Sequence, residues 1–143
     1  MPRPPIVLAV YGTLRRGERN DSFLAGSTFL GPGVVRGRLH VMPRSTLREY
    51  AYPALLLDGS SRVVVEVYEL PDEATLAAID ELEAFDPADE AASQYVRRSV
   101  AVIDGPVSVA WSYLYNGPPE EIGEAIPDGD WVAHQQETAP AEG

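Results

Sequence analysis

The chain has 143 residues, a length that accommodates one compact domain and leaves little room for a second. Apolar residues make up 45 % of it, which is ordinary for a globular protein. The absence of cysteine excludes disulfides and thiolate nucleophiles, and with only two histidines a histidine-rich metal site is excluded too. A net charge of −11 argues against nucleic-acid binding through a broad basic surface.

Charge is distributed unevenly along the chain. Residues 1–62 carry nine arginines against four acidic residues, a net charge of +5, whereas residues 63–143 carry a net charge of −16. We interpret the acidic half as a solubilising surface. In the basic half, Arg15, Arg16 and Arg19 lie beside a glycine, and such a cluster could favour a small anionic ligand. The chain has no lysine, so mechanisms that need a Schiff-base or P-loop lysine are excluded.

The first predicted element is a buried strand followed by a turn. Residues 6–11 form a continuous apolar run that ends at Gly12. This run is too short for a signal peptide, and no apolar segment approaches the ~20 residues that span a bilayer, so we expect a cytoplasmic protein. Gly12 permits a sharp turn whose backbone amides can hold a carboxylate or an oxyanion. The alternative is an ordinary strand-terminating turn.

The next segments predict further strands. Residues 14–24 are polar and are expected to form a loop with one helical turn from Asp21. Three residues, Gly31-Pro32-Gly33, break the chain before residues 34–41, whose alternation of apolar and polar residues is typical of a half-exposed strand.

A hairpin is predicted in the middle of the chain. Residues 52–57 and 63–70 are both apolar, and Asp58-Gly59 between them is a turn signal.

One helix is predicted between Asp72 and Glu83. Asp72 can cap the free amides of its first turn, and alanines and leucines favour it. At ~100° per residue, Glu83 projects between Leu76 and Ile79, inside the apolar stripe, whereas Asp80 falls at the stripe's edge. We therefore expect one carboxylate to face the core.

The projection of Glu83 indicates acid–base chemistry. A carboxylate on a desolvated face, at the negative end of a helix, is expected to have a raised pKa. Such a carboxylate suits a general base and acid near neutral pH. The alternative is that the last turn frays and Glu83 faces water.

The C-terminal third predicts a second hairpin. Its strands are residues 96–103 and 107–115, separated by Asp104-Gly105-Pro106. We expect residues 1–133 to form a single domain. The polar residues 134–143 that follow are expected to be a frayed C-terminal tail.

Short motifs then resemble, in order, those of the gamma-glutamylcyclotransferase-like superfamily. The resemblance covers roughly residues 6–131 and is closest to the gamma-glutamylamine cyclotransferase branch. The motifs are Tyr11-Gly12-Thr13-Leu14-Arg15 with Gly17 and Asn20, Tyr52-Pro53-Ala54, Glu66-Val67-Tyr68, Ile79-Asp80-Glu81-Leu82-Glu83, Tyr95-Val96-Arg97-Arg98, the strand from Ala110 to Asn116, and Gly129-Asp130-Trp131.

The resemblance implies an α+β fold, a small mixed β-barrel with flanking short helices. It implies a cyclotransferase that converts a gamma-glutamyl amide or gamma-glutamyl-amine into 5-oxoproline and a free amine. No metal or organic cofactor takes part in the family's reaction. The expected partner is a small-molecule gamma-glutamyl substrate rather than nucleic acid or a membrane, and the expected assembly is a monomer or homodimer.

The resemblance also assigns roles to individual residues. Glu83 matches the catalytic glutamate, which takes a proton from the substrate's alpha-ammonium and returns it to the leaving amine. The substrate-binding positions are Tyr11, Gly12, Thr13 and Leu14 of the turn, Arg15 in a supporting role, and Tyr95 and Tyr115 as aromatic residues of the cavity. The alternative function is a non-catalytic binding or regulatory domain that retains the same cavity.

Two departures from the family pattern bear on the site. Ala84 stands where many members have glycine, so the helix exit is expected to differ. Residues 85–94 are acidic and are expected to form a loop near the cavity mouth that contributes to specificity.

Overall fold

The fold is a curled five-stranded sheet with two helices. The structure, a computed structural model, describes residues 5–42 and 51–138, with the backbone alone at 58–60 and 136–138. Its elements are β1 (Ile6–Val10), β2 (Thr28–Met42), β3 (Tyr52–Leu70), α1 (Glu73–Leu82), β4 (Tyr95–Ala101), β5 (Val109–Tyr115) and α2 (Trp131–Thr138), with single 3₁₀ turns at Asp21–Leu24, Glu90–Ala92 and Pro119–Glu121. None of the described helices is long and apolar enough to cross a membrane.

The strand order is β2-β3-β1-β5-β4, and the sheet is mixed because β1 runs parallel to β5 and antiparallel to β3. The sheet curls until its two edges approach, and the Ile103 N–H donates to the Val34 carbonyl at 2.8 Å. Residues 123–126 pair with the outer edge of β2, where the Ile126 N–H donates to the Leu39 carbonyl at 2.7 Å. The expected mixed β-barrel with flanking short helices is confirmed.

The predicted hairpin of residues 52–57 and 63–70 is wrong. Both segments belong to the single strand β3, and both pair with β2. Residues 57–60 form a bulge, because Arg38 pairs with Leu56 and the next residue, Gly37, pairs with Ser61. A side chain at Gly37 would meet the Leu56 carbonyl, so the glycine permits the bulge. Asp-Gly therefore marks a bend within one strand rather than a reversal.

Strand β2 also begins earlier than the sequence predicts. It starts at Thr28 and runs through residues 31–33, with a register shift between Phe29 and Gly31 in place of the expected break. The helical turn from Asp21 and the second hairpin, now β4 and β5, are confirmed.

Two apolar clusters cover the two faces of the sheet. One consists largely of strand valines and Trp131, which is 1 % exposed and anchors α2. The other lies beneath α1 and includes the fully buried Ile79. Asp72 caps α1 as expected, since its carboxylate accepts the Thr75 N–H at 2.8 Å. The segment expected to fray continues as helix α2 to Thr138, and residues 139–143 lie outside the described part of the chain.

Candidate active site

A small cavity lies where β1 ends, between the turn that follows it and the end of α1. Its inner space is narrow, about 20 Å³, and it opens to solvent. Its walls are Val10, Tyr11, Gly12, Thr13, Leu14, Tyr52, Pro53, Glu83 and Tyr113. The predicted glutamate and four of the predicted turn residues thus share one cavity.

The turn is held by its own backbone and by Asn20. The Gly12 carbonyl accepts the Arg15 N–H at 3.0 Å, and the Thr13 carbonyl accepts the Asn20 N–H at 2.9 Å. The Asn20 amide also donates to the Thr13 hydroxyl at 3.0 Å. None of these bonds uses the N–H groups of residues 12–14, which are the groups an anionic oxygen needs.

Gly12 is required by close packing. A Cβ at this position would lie 2.9 Å from Pro53 Cδ and closer still to Pro53 Cγ. Since Pro53 also lines the cavity, any larger residue at position 12 would push the turn and Pro53 apart.

Glu83 stands at the C-cap of α1 and is half-buried. Its N–H still donates to the Ile79 carbonyl at 2.9 Å, so the last helical turn does not fray. The next residue, Ala84, has φ of +54°, a left-handed conformation that glycine adopts more readily. The Phe85 N–H then donates back to the Asp80 carbonyl at 2.9 Å, which closes the helix end.

A second carboxylate faces inward, contrary to the expectation of one. Asp80 is 7 % exposed and accepts Arg97 Nε at 2.9 Å and Arg97 Nη2 at 3.1 Å. It also accepts the Tyr113 hydroxyl at 2.5 Å. The helical projection placed Asp80 at the edge of the apolar stripe and so predicted a partly exposed side chain. It is buried because Arg97 and Tyr113, which belong to the sheet, cover it.

Tyr113 links Asp80 to the cavity that it lines. Burial raises the pKa of its phenol far above the ordinary value, the hydrogen bond and charge of Asp80 raise it further, and the nearby charge of Glu83 adds to this. The phenol therefore stays protonated and committed to Asp80 at any pH at which the protein works.

Arg15 lies behind the turn and is not among the residues that line the cavity. Its guanidinium donates to Glu66 at 3.0 Å and to Asp130 at 2.8 Å. Glu66 also accepts the Arg16 N–H at 2.8 Å and the Tyr68 hydroxyl at 2.9 Å. These contacts agree with a supporting role for Arg15 at the turn. Because its guanidinium is paired with Glu66 and Asp130, Arg15 is not available to bind a small anion together with Arg16 and Arg19.

Asp130 contacts both Arg15 and the first turn of α2. Burial opposes ionisation, but the hydrogen bonds from the Ala133 backbone and Arg15 prevail and hold the pKa of Asp130 below its ordinary value.

Tyr95 and Tyr115 do not line the cavity. Tyr95 is buried behind Pro53 and donates its hydroxyl to the Pro53 carbonyl at 2.7 Å. Tyr115 lies one alternation beyond Tyr113 on β5, and its hydroxyl donates to the Pro118 carbonyl at 2.7 Å. Their rings contact each other edge to face, with 6.0 Å between the ring centres. Tyr95 thus supports the wall that Pro53 forms.

Sequence reasoning missed four lining residues, Tyr52, Pro53, Tyr113 and Val10. The first two belong to a motif that had been noted without a role. Tyr113 belongs to the motif strand from Ala110 to Asn116, and only the pairing of β5 with the parallel strand β1 brings it near the turn.

Comparisons with known proteins agree with this architecture. The model of the family described as gamma-glutamyl cyclotransferase, AIG2-like, matches residues 8–133. A Vibrio cholerae protein with a provisional gamma-glutamylcyclotransferase name is 37 % identical over 123 residues, which cover 85 % of this chain and 91 % of that protein. The gamma-L-glutamyl-butirosin B gamma-glutamyl cyclotransferase of Niallia circulans is 34 % identical over 111 residues, which cover 76 % of this chain and 66 % of that protein.

A solved structure shows the same fold. The crystal structure of an uncharacterized protein from Pyrococcus horikoshii has a TM-score of 0.68 at 26 % identity and covers 92 % of this chain and 94 % of that one. The fold and the cavity thus define a small barrel with a glutamate opposite a glycine turn. The chain belongs to the gamma-glutamyl cyclotransferase, AIG2-like family.

Proposed function

We propose that the protein is a cyclotransferase that converts a gamma-glutamyl amide or gamma-glutamyl-amine into 5-oxoproline and a free amine. The observation that carries the proposal is that Glu83 and the turn of residues 11–14 line one cavity. Family membership supports it, as does the activity named for the Niallia circulans relative. The cavity opens to solvent on one side, where the leaving amine of a bound substrate would lie.

Glu83 moves the proton in both directions. Its carboxylate accepts a proton from the substrate's alpha-ammonium, which frees the nitrogen lone pair to attack the gamma-carbonyl carbon. The new carbon–nitrogen bond gives a tetrahedral intermediate. When the intermediate collapses, the bond to the leaving nitrogen breaks, and Glu83 returns the proton to that nitrogen. The ring nitrogen gives up its second proton, which passes to the departing amine, so 5-oxoproline forms neutral at its amide, the amine leaves as an ammonium ion, and Glu83 is again a carboxylate. A positioned general base and acid contributes about 10²–10⁴-fold to such a rate.

The turn handles the charge that develops on oxygen. The backbone N–H groups of residues 12–14 are not used by the turn's own bonds, so they are available to the carbonyl oxygen as it becomes an oxyanion. Gly12 keeps this stretch of backbone close to Pro53 and thereby keeps the cavity narrow.

The entropic part of the barrier is small because the attack is intramolecular. Nucleophile and carbonyl belong to one molecule, so little translational entropy is lost on the way to the five-membered ring. No atom changes oxidation state, so the electrons balance without an external oxidant or reductant.

The direct test is product formation from a panel of gamma-glutamyl amines and gamma-glutamyl dipeptides, with 5-oxoproline measured by mass spectrometry. We expect stoichiometric 5-oxoproline and amine from at least one donor. The matched control is the same donor with an acetylated alpha-amine, which cannot cyclise and should give no product. Thermal stabilisation by donors without any 5-oxoproline would instead support the non-catalytic binding domain.

A further inference from the structure

The buried Asp80 carboxylate has no place in the proton transfers assigned to Glu83. The two residues are three positions apart on α1, so their side chains leave the helix on the same side, one turn from each other. An anchor on Asp80 therefore sets the rotation of the helix end that carries Glu83.

Asp80 is anchored more firmly than a surface carboxylate. Three hydrogen bonds reach its two oxygens, two from the fork of Arg97 and one from Tyr113. Its own carbonyl accepts the Phe85 N–H at 2.9 Å, which fixes the chain on the far side of Glu83. Side chain and backbone of one residue thus bracket Glu83.

Arg97 is itself held in place by aromatic rings. Its guanidinium carbon lies 5.5 Å from the centre of the Phe85 ring and 5.4 Å from that of Trp111. Arg97 is on β4 and Tyr113 is on β5, so the bonds to Asp80 tie the helix end to two neighbouring strands. Tyr113 and Glu83 then meet at the same cavity.

We propose that Asp80 and Arg97 are positioning residues that hold Glu83 at the distance from the Gly12 turn that proton transfer requires. This inference rests on the proposed function. Neither residue is among those that line the cavity, so both act through Glu83 and Tyr113. A displacement of about 1 Å in a reacting group can lower a rate by about 10²-fold, so a loose helix end would lower turnover without weakening substrate binding.

The competing explanation is that the pair only stabilises the fold. Breaking one partner of a buried ion pair destabilises a protein whatever else the pair does, so loss of activity alone would not separate the two. The chain offers a matched comparison at the next residue. Arg98 makes the same two-bond fork to Glu90, at 2.8 and 3.1 Å, but on the exposed side of the strand.

The experiment compares Arg97→Lys with Arg98→Lys at a temperature at which circular dichroism shows both fully folded. Lysine keeps the positive charge but cannot form the fork. We expect Arg97→Lys to lower kcat by about 10- to 100-fold with KM within about threefold of wild type, and Arg98→Lys to change neither. If Arg97→Lys does not fold, the isosteric Asp80→Asn replaces it.

A second readout does not depend on turnover. In isotope-labelled protein, the Glu83 side-chain carboxyl carbon and the Gly12 amide should shift in Arg97→Lys and stay in place in Arg98→Lys. Equal kcat in the two folded variants, or unmoved Glu83 and Gly12 resonances, would overturn the positioning role. If wild-type protein makes no 5-oxoproline, the proposed function fails, and the resonance comparison alone decides whether Asp80 and Arg97 position Glu83.

Discussion

The two walls of the cavity use different parts of the chain. The turn contributes four consecutive residues, 11–14, whereas the helix end contributes the single residue Glu83. A largely buried arginine anchors each wall from behind, Arg15 for the turn and Arg97 for the helix. The difference teaches that substitutions at Gly12 and at the two anchoring arginines act through geometry and stability, whereas only substitution of Glu83 itself acts directly on the proposed proton transfer.

The largest change in stability should come from Arg15→Leu. The substitution leaves Glu66 and Asp130 partly buried without their shared counter-charge. We expect the free energy of unfolding to fall by about 3 kcal/mol, the lower end of the range for a broken buried pair because Asp130 is partly exposed. Urea denaturation measures this, and Arg98→Leu, which breaks an exposed pair, should cause a much smaller loss. Equal losses would remove the distinction between anchoring and surface arginines.

Gly12→Ala should reduce activity more than it reduces stability. Its Cβ would collide with Pro53 and displace one wall of the cavity, so we expect kcat to fall by about 10²-fold. The control is Gly17→Ala, where φ is +83° and an added Cβ would meet no atom of the described residues within 4 Å. That variant should lose stability through backbone strain while keeping kcat. If both glycines tolerate alanine equally, the close approach to Pro53 is not what shapes the site.

The ion pair between Asp130 and Arg15, which holds the turn, should weaken in acid. The pKa of Asp130 is held below its ordinary value of 3.8, so its contribution is fully present above that value and is lost as pH falls through the lower folded pKa. Urea denaturation between about pH 5 and pH 2 should therefore show a smaller acid-induced loss in Asp130→Asn than in wild type. An unchanged slope would show that Asp130 does not couple α2 and the turn to pH.

The smallest effect is expected at the end of the helix wall. Ala84 has φ of +54°, a conformation that costs a non-glycine residue about 1–2 kcal/mol. Because glycine loses more entropy on folding, Ala84→Gly should stabilise the protein by about 0.5–1 kcal/mol rather than the full amount. Thermal denaturation measures the gain, and a lower melting temperature would contradict the strain at this position.

Local patterns predicted the elements that are defined by their own apolar periodicity and by the turn or capping residues at their ends. Strand β1, helix α1 with its Asp72 cap, and the β4–β5 hairpin follow from apolar periodicity and turn residues, and each is present. The wrong hairpin has a cause that lies outside its own sequence. Asp-Gly at 58–59 is equally compatible with a turn and with a bulge, and only the continuous pairing of both segments with β2 selects the bulge.

The candidate site was predicted in part for the same reason. The resemblance assigned the turn and Glu83 to one site, and in the structure both line one cavity. It could not reveal that Tyr113 lines the cavity or that Asp80 is buried, because both follow from how α1 lies on β4 and β5. A helical projection describes one helix alone and does not include the strands that complete its environment.

The most direct test of the account compares two glutamates on the same helix end. Glu83 lines the cavity, and Glu81 is exposed two residues earlier. With a donor that yields 5-oxoproline, Glu83→Gln should keep the fold and lower kcat by at least about 10²-fold, whereas Glu81→Gln should match wild type. Undiminished 5-oxoproline formation by folded Glu83→Gln would contradict the assignment of proton transfer to this residue.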